Sequence, residues 1–410
     1  MLKEIAKKCL NCKVPQCSLG CPVQTSIPEV INLYLEGKYQ EAGSVLFNNN
    51  PLSAVCSIVC PHENNCLGKC ILNKKNNPVS FYEIEQFLSQ KYLEEFVSPN
   101  IAYNGHKVAI IGAGPAGMSM SIILALKGFK VTLIDGQDKI GGVLRYGIPE
   151  FRLPRHILSL YEGVIKKLGI KFKPNTYVGS NLNIDDMFMD GYSAVFVAVG
   201  TSKPNRLGLL GETLGHVHYA IDYLKTPDAY DLGNNIVVIG AGNVAADAAR
   251  MARRHHQDAN IILINNRRDV DATATPKELK HVAEENITFR HLLSTLRIDD
   301  ENVICCKVTP IENKNGTVSF EEEMGEIIKI PADSVIIAIG QSPTSVIRNN
   351  TNISTTLRGL FVVDENGMTD VKGVFAAGDV VSGPKTVVDA VKQAKLVAKS
   401  IEEYCYSLKK

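Results

Sequence analysis

Residues 107–135 read KVAIIGAGPAGMSMSIILALKGFKVTLID, and this stretch decides the fold class. An apolar strand runs into a glycine turn, a helix follows, and a second apolar strand ends the segment, which is the pattern of a βαβ unit. In the turn, Gly112 permits the tight bend, Gly114 lets the backbone approach a pyrophosphate, and Gly117 lets helix and strand pack closely. The free N–H groups at the start of the helix would bind the phosphates.

An acidic residue stands where a dinucleotide site needs one. Asp135 follows the second strand, 23 residues after Gly112, so its carboxylate can accept hydrogen bonds from ribose hydroxyls. Strand, turn, helix and acid together predict a nucleotide site. The alternative is a βα turn that needs glycine for packing alone.

The pattern returns at residues 235–268, NIVVIGAGNVAADAARMARRHHQDANIILINNRR. Glycines fill the first two positions of its turn and Ala245 fills the third, which the fingerprint allows. The second strand ends in Arg267 and Arg268 instead of an acid. Because arginine suits a ribose 2′-phosphate, we expect NADPH rather than NADH here, unless the two arginines are only a solvated strand end. Two such turns in one chain predict a flavin beside a nicotinamide, since a flavin accepts a hydride and releases single electrons.

The whole chain has the composition of a globular protein. It contains 410 residues, 45% hydrophobic and 21% charged, which suggests two or three domains. The net charge of +1 gives no electrostatic reason to expect nucleic acid or an anionic membrane as partner. No apolar run is long enough to span a bilayer, and the N-terminal sequence MLKEIAKKCLNC lacks the apolar core of a secretory signal. We therefore expect a cytoplasmic protein.

Eight of the eleven cysteines lie within residues 9–70, in a region that otherwise predicts short helices such as Pro28–Leu46 and Val79–Phe96. A reducing cytosol disfavours disulfides, so clustered thiols point first to metal binding. The spacings are Cys-x2-Cys-x4-Cys-x3-Cys-Pro from Cys9 and Cys-x3-Cys-Pro-x4-Cys-x3-Cys from Cys56. They favour iron–sulfur clusters, although the x4 spacing departs from the usual ferredoxin run. Eight thiolates would nominally hold two [4Fe–4S] clusters.

Other interpretations of the cysteines stay open. Zinc also accepts paired four-cysteine sites, and the thiols could be unbound. Spacing alone does not distribute ligands between two clusters. The remaining cysteines, Cys305, Cys306 and Cys405, form no Cys-x-x-Cys pair for redox chemistry, and we interpret them as structural.

Five motifs in order point to a family. The cysteine block, GAGPAG, GGVLRYGIPEFRLP (141–154), GAGNVA and GVFAAGDVV (373–381) resemble the small subunit of NADPH-dependent glutamate synthase over nearly the whole chain. They equally resemble the flavoprotein subunit of bacterial dihydropyrimidine dehydrogenase and the N-terminal half of the eukaryotic enzyme. The resemblance implies an α/β protein with an N-terminal helical iron–sulfur domain and two Rossmann-like, glutathione-reductase-like domains, the NADPH domain being inserted in the FAD domain. The expected boundaries are 1–100 for the iron–sulfur domain, 101–230 and 339–410 for the FAD domain, and 231–338 for the NADPH domain.

The resemblance also implies which residues hold the two nucleotides. The expected FAD contacts are Gly112, Gly114, Pro115, Ala116, Gly117, Asp135, Gly142, Arg152, Gly378, Asp379, Thr386 and Val387. The expected NADPH contacts are Gly240, Gly242, Asn243, Val244, Ala245, Arg267 and Arg268. Asp379 would meet the flavin ribityl hydroxyls or else cap a helix, and Arg152 would reach the FAD phosphates or else pair with a surface acid.

The resemblance divides the cysteines differently from a simple count of thiols. It implies that one cluster uses Cys9, Cys12, Cys17 and Cys70. The other would use Cys21, Cys60 and Cys66 with an oxygen ligand from the following helix, a position that matches Glu85 in SFYEIEQF. Cys56 would then bind no iron. The alternative for Glu85 is an ordinary exposed helix carboxylate.

The implied function is electron transfer from NADPH to FAD and onward through the clusters. No protein acid or base is needed for the hydride step, so we nominate no catalytic residue. We see no second catalytic domain in the sequence and expect another subunit to be the final acceptor. Other hypotheses are a stand-alone NADPH oxidoreductase that reduces small acceptors, and a non-catalytic iron–sulfur scaffold.

Overall fold

A computed structural model describes residues 1–180, 182–313 and 317–408, apart from the side chains of Asp269 and Met324. The chain forms two compact units. The first comprises Met1–Arg145, Glu150–Thr201 and Ser342–Lys410, and the second comprises Tyr146–Pro149 and Ser202–Gln341.

The first hundred residues are helical, as predicted. Their helices are α1 (Leu2–Lys7), α2 (Gln16–Leu19), α3 (Ile27–Leu35), α4 (Tyr39–Asn49), α5 (Ser53–Val59) and α6 (Phe81–Glu94), with a 3₁₀ turn at Ile71–Lys75. The predicted single helix over Pro28–Leu46 is wrong, because Gly37 adopts φ +78° and separates α3 from α4. Buried residues including Ile31, Leu46 and Ile84 form the core between these helices.

The rest of the chain alternates strands and helices. The strands are β1 (Lys107–Ile111), β2 (Lys130–Ile134), β3 (Lys171–Lys173), β4 (Ala194–Val197), β5 (Lys203–Pro204), β6 (Val217–Tyr219), β7 (Asn235–Ile239), β8 (Asn260–Ile264), β9 (Thr288–Arg290), β10 (Leu293–Ile298), β11 (Asn302–Glu312), β12 (Val318–Pro331), β13 (Ser334–Ile337), β14 (Gln341–Ser342) and β15 (Val374–Ala376). The helices are α7 (Pro115–Leu126), α8 (Val143–Tyr146), α9 (Arg155–Lys167), α10 (Ile184–Met189), α11 (Ala220–Lys225), α12 (Asn243–His255), α13 (Pro276–Glu284), α14 (Ser345–Asn349), α15 (Asp379–Ser382) and α16 (Val387–Ser407). Short 3₁₀ turns lie at Pro227–Ala229 and Asp269–Asp271.

Each unit contains one five-stranded parallel sheet. In the first unit the strand order is β15-β4-β1-β2-β3, and in the second it is β6-β13-β7-β8-β9. The apolar residues of β1 and β7 are buried along almost the whole strand, as expected where helices cover both faces of a parallel sheet. The second unit also contains the antiparallel sheet β10-β11-β12. The predicted pair of Rossmann-like folds is confirmed.

The second unit begins earlier in the chain than the sequence suggests. Its main segment starts at Ser202 rather than near residue 231, because β6 joins its parallel sheet and α11 packs into its core. It ends at Gln341, close to the expected residue 338. Residues 1–100 belong to the same compact unit as the first parallel sheet. Among the described residues, none of the helices combines the length and apolar character needed to cross a bilayer.

Candidate cofactor sites

The first glycine turn lies at the carboxyl end of β1. Gly112 adopts φ +105°, and a Cβ atom there would lie 2.3 Å from the carbonyl oxygen of Ala198. At Gly117 a Cβ atom would lie 1.8 Å from the carbonyl oxygen of Gly112. Gly114 is the N-cap of α7, and no side chain caps that end of the helix. Backbone contact therefore demands glycine at the first and third positions, and the N–H groups at the start of α7 are left for an anion.

Residues from distant parts of the chain meet at this turn. Gly142 adopts φ +52°, and a Cβ atom there would lie 2.7 Å from the Cα atom of Gly114. Gly378 adopts φ +81°, and its Cβ atom would lie 3.0 Å from the Cβ atom of Ala116. Both later glycine motifs thus pack directly against the turn, and side chains are absent where a ligand could approach the backbone.

The two predicted acids also lie in this unit. The Asp135 carboxylate accepts the N–H of Ala113 at 2.6 Å and the N–H of Gln137 at 2.8 Å, so it supports the glycine turn directly. Burial raises the pKa of Asp135 despite these two hydrogen bonds. Burial also raises the pKa of Asp379 to about 6. Gly378, not Asp379, is the N-cap of α15, so Asp379 has no capping role there.

Helix α16 begins next to the same motifs. Thr386 is its N-cap, in a capping box with Asp389, and Val387 is its first residue. Gln393 accepts the N–H of Gly378 at 2.8 Å and so ties α16 to the glycine loop. A single helix glutamine carries no sequence signal, which is why it escaped prediction. Arg152 is half-buried in the segment between α8 and α9.

The second glycine turn follows β7. A Cβ atom at Gly240 would lie 2.4 Å from the carbonyl oxygen of Ala338, and Gly242 is the N-cap of α12. The segment 273–275, which the sequence did not single out, lies on this turn. Its first two N–H groups donate to the carbonyl oxygen of Ala241 at 3.0 and 2.9 Å, and its third donates to the side-chain oxygen of Asn243 at 2.9 Å. Asn243, a predicted NADPH contact, therefore also positions the neighbouring loop. Val244 and Ala245 follow it in the first turn of α12.

The two predicted 2′-phosphate ligands differ in their surroundings. Arg267 is exposed, and its backbone N–H donates to the Asn265 side chain at 2.7 Å. The Arg268 guanidinium donates to both carboxylate oxygens of Asp271, at 2.6 and 3.1 Å. That ion pair lowers the pKa of Asp271 and raises the pKa of Arg268. Arg267 can bind a phosphate directly, whereas Arg268 would first have to release the Asp271 carboxylate.

The clustered cysteines line two cavities among the N-terminal helices. The first cavity is lined by Cys9, Cys12, Cys17, Cys66 and Cys70. The second cavity is lined by Cys21, Cys56, Cys60, Cys66 and Glu85. Each cavity contains the complete ligand set that the family resemblance implies for one cluster. Cys66 borders both cavities, and Cys56 lies in the second although the resemblance gives it no ligand role.

The donors of the second cavity are strongly desolvated. Burial raises the pKa of the Cys60 thiol to about 12 and raises that of Cys66 further. Glu85 is only 7% exposed, so its interpretation as an ordinary exposed carboxylate is wrong. Burial alone raises the pKa of Glu85 to about 8, with no hydrogen bond to offset it. A buried carboxyl group without a donor is unfavourable unless it binds a proton or a metal.

The donor chemistry fits iron–sulfur clusters. Within the described ranges, no three His, Cys, Asp or Glu side chains are grouped so that they could hold a metal ion. A [4Fe–4S] cluster takes one protein ligand at each of its four irons, so its ligands surround a cavity rather than converge on one point. Val388 in the first turn of α16 also lines the second cavity, which brings that cavity next to the candidate FAD residues Thr386 and Val387.

Comparison with known sequences adds two family matches. Residues 106–394 match the family described as pyridine nucleotide-disulphide oxidoreductase, and residues 1–96 match the family described as dihydropyrimidine dehydrogenase domain II, 4Fe-4S cluster. The glutamate synthase [NADPH] small chain of Escherichia coli (strain K12) is 31% identical over 443 residues, covering 97% of this chain and 90% of that protein. The NAD-dependent dihydropyrimidine dehydrogenase subunit PreT of Salmonella typhimurium is 32% identical over 413 residues, covering 98% and 94%.

Solved structures agree on the fold. FprA from Mycobacterium tuberculosis superposes with a TM-score of 0.65 at 18% identity, covering 74% of this chain and 85% of that one. The thioredoxin reductase of T. acidophilum gives a TM-score of 0.55 at 22% identity, covering 74% and 100%. These likenesses confirm the predicted α/β fold class.

Proposed function

This chain belongs to the pyridine nucleotide-disulphide oxidoreductase family and aligns along almost its whole length with glutamate synthase small chains, and from this premise we propose how it works. It oxidises NADPH with FAD as the hydride acceptor. It then passes single electrons through two [4Fe–4S] clusters to a partner subunit.

The observation that carries this proposal is the double role of α16. Its N-terminal turn contributes Thr386 and Val387 to the candidate FAD site and Val388 to the second cavity. One helical turn rises about 5.4 Å, so a flavin and a cluster bound at these places would be close neighbours. The first cavity is lined by the exposed side chains of Leu10, Val14 and Ile71, where electrons would leave for the partner. The structure thus supports the order FAD, second cluster, first cluster.

The cofactors supply the redox chemistry, and the protein holds them in place. FAD supplies a hydride acceptor that releases single electrons, and the clusters carry them. The N-terminal N–H groups of α7 bind the FAD pyrophosphate, and those of α12 bind the NADPH pyrophosphate. Arg267 and Arg268 bind the 2′-phosphate, and Asp379 orients the flavin chain. The protein binds and orients the two nucleotides and excludes water from them. The hydride step needs no acid or base from the protein.

We assign the cluster ligands as the family resemblance implies. The first cluster takes Cys9, Cys12, Cys17 and Cys70, and the second takes Cys21, Cys60, Cys66 and Glu85. The support is that each set lines one cavity and that Glu85 is buried without a hydrogen-bond donor. Cys9→Ser should remove the first cluster and leave the second, and Cys60→Ser should do the reverse. Iron content and electron paramagnetic resonance of the reduced proteins distinguish the two results; loss of both signals in both variants would contradict the division.

The acceptor is a protein subunit in this proposal. The aligned relatives are named as a small chain and as a subunit, which supports a partner for this chain. We place both in the cytoplasm. The relative PreT, at 32% identity, favours as the second candidate a partner that reduces pyrimidines. Anaerobic co-purification with identification of the partner by mass separates these candidates from each other. Recovery of the isolated chain with full activity toward small acceptors would favour a stand-alone oxidoreductase.

The central experiment is anaerobic titration with NADPH. The flavin absorbance should bleach first, and the paramagnetic signals of reduced clusters should follow. A flavin that stays oxidised, or a purified protein that contains zinc and no iron, would contradict the proposal.

A further inference from the structure

We propose that Cys56 is an exchangeable iron ligand that can replace Glu85 at one corner of the second cluster. This inference rests on the proposed cluster in the second cavity. A cubane cluster uses four protein ligands, but four cysteines and Glu85 line that cavity, besides His62, whose ring nitrogen lies 3.1 Å from the Cys56 carbonyl oxygen. With three corners taken by the remaining cysteines, Cys56 and Glu85 compete for the fourth.

The two competing side chains come from neighbouring helices. Cys56 lies on α5 and is 4% exposed, and Glu85 lies on α6 and is 7% exposed. Helices α5 and α6 pack against each other. Cys56 lines the same cavity as Cys60, Glu85 and Cys21. Cys56 is therefore part of the cavity and not a thiol behind it.

The surroundings of Cys56 resemble those of an assigned ligand. The Asn65 side chain donates to the Cys60 sulfur at 3.2 Å, and the Asn50 side chain lines the cavity beside Cys56, where it partly offsets the rise that burial causes in the pKa of the Cys56 thiol. Asn50 is 2% exposed, and its side-chain oxygen accepts the N–H of Leu52 at 3.0 Å, which leaves its NH₂ group as the part available to a sulfur. Amide donors of this kind stabilise cluster sulfurs and tune their potential.

A thiol used only for packing looks different in this chain. Cys405 on α16 is fully buried, and burial alone raises the pKa of its thiol. It lines neither of the two cysteine cavities. What distinguishes Cys56 is its position in the wall of the second cavity with Cys60 and Glu85, and iron ligation explains that position.

The exchange of Glu85 for Cys56 at the iron changes no oxidation state. The iron–oxygen bond to Glu85 breaks and an iron–sulfur bond to Cys56 forms. The thiol proton passes to the released Glu85 carboxylate, so the net charge inside the cavity is unchanged. Constant charge favours the step, because an uncompensated charge in a buried site is costly. Cys56 would thus retain the fourth iron whenever the carboxylate releases it.

The test compares wild type, Glu85→Ala, Cys56→Ala and the double variant, all purified anaerobically as the full chain. We expect Glu85→Ala to keep the wild-type iron and sulfide content per FAD. Cys56→Ala should also keep it on isolation, but ferricyanide oxidation should then produce several-fold more three-iron cluster signal than in wild type. The double variant should show the three-iron signal as isolated. Glu85→Leu, which keeps a similar side-chain volume and offers iron no oxygen ligand, replaces Glu85→Ala if that variant does not fold.

Two outcomes would overturn the inference. Iron loss from Glu85→Ala equal to that of the double variant would mean that Cys56 does not ligate. Equal three-iron signals in Cys56→Ala and wild type after oxidation would mean that no exchange occurs. Cys405→Ala is the matched control for loss of a buried thiol and should behave as wild type. Flavin bleaching by NADPH in every variant separates failure of this inference from failure of the proposed function.

Discussion

Replacing Gly117 by alanine tests whether backbone contact at the first glycine turn sets the position of α7. The added methyl group would lie 1.8 Å from the carbonyl oxygen of Gly112, and restoring a separation of 3.0 Å requires α7 to withdraw by about 1.2 Å. Overpacking of this kind costs about 1–3 kcal/mol. The better helix propensity of alanine offsets up to about 1 kcal/mol of that. We expect FAD-free protein to lose about 1–2 kcal/mol of unfolding free energy.

FAD affinity should suffer as well, because the withdrawal carries the N–H groups of α7 away from the pyrophosphate. We expect the dissociation constant to rise at least tenfold, which corresponds to about 1.4 kcal/mol. Urea unfolding of FAD-free protein and flavin fluorescence titration measure the two effects. Gly163→Ala is the matched control, since its Cβ atom meets nothing within 4 Å in the middle of α9, and it should stabilise by about 0.5–1 kcal/mol. A Gly117→Ala protein that unfolds and binds FAD like wild type would refute the reasoning.

Three further changes address other parts of the molecule. Arg267→Ala combined with Arg268→Ala should raise KM for NADPH at least 10- to 100-fold, because the loss of even one hydrogen bond to a charged group costs about 1.5–3 kcal/mol, and should leave KM for NADH unchanged. An unaltered ratio of the two KM values in steady-state kinetics would contradict this location of the 2′-phosphate site. Because burial raises the pKa of Asp379 from 3.8 to about 6, the stability that its neutral form contributes to FAD-free protein is lost as the pH rises from about 4 to about 6. Urea midpoints should fall over that window in wild type, and Asp379→Asn should flatten the fall. Arg250→Ala should cost about 3–5 kcal/mol, because it leaves the buried Glu278 without its 2.7 Å partner. Lys280→Ala, which breaks an exposed pair at 3.6 Å, should cost less than about 1 kcal/mol, and similar losses for both variants would contradict the distinction.

Both parallel sheets were predictable because glycine turns and apolar strands are local signals. The contacts at Gly112 and Gly117 show why. Backbone oxygens lie so close to these positions that no side chain fits, so the sequence must have glycine there. The domain boundary was less predictable. The short strand β6 carries only three residues, which is too little periodicity to show that it belongs to the second sheet.

The grouping of the cysteines needed more than their spacing. Cys66 and Cys70 are four residues apart, yet Cys66 lines both cavities and Cys70 lines only the first. This difference arises from the packing of the helices around the cavities, which spacing does not record. Glu85 also illustrates the limit, because one carboxylate on a helix is unremarkable until the fold buries it beside four thiols. The amide donors Asn50 and Asn65 and the tether Gln393 carry no pattern, since their roles arise only from tertiary contacts.

Helix α16 closes the chain, yet it touches the opening segment. It packs against α5, and its Lys395 ammonium group donates to the side chain of Asn49 at 2.7 Å. Its Val388 supplies part of the wall around the second cavity. A transplant of residues 1–100 into another flavoprotein would therefore leave one side of that cavity uncovered. Engineers who wish to rewire electron flow with this domain should move the terminal helix together with it.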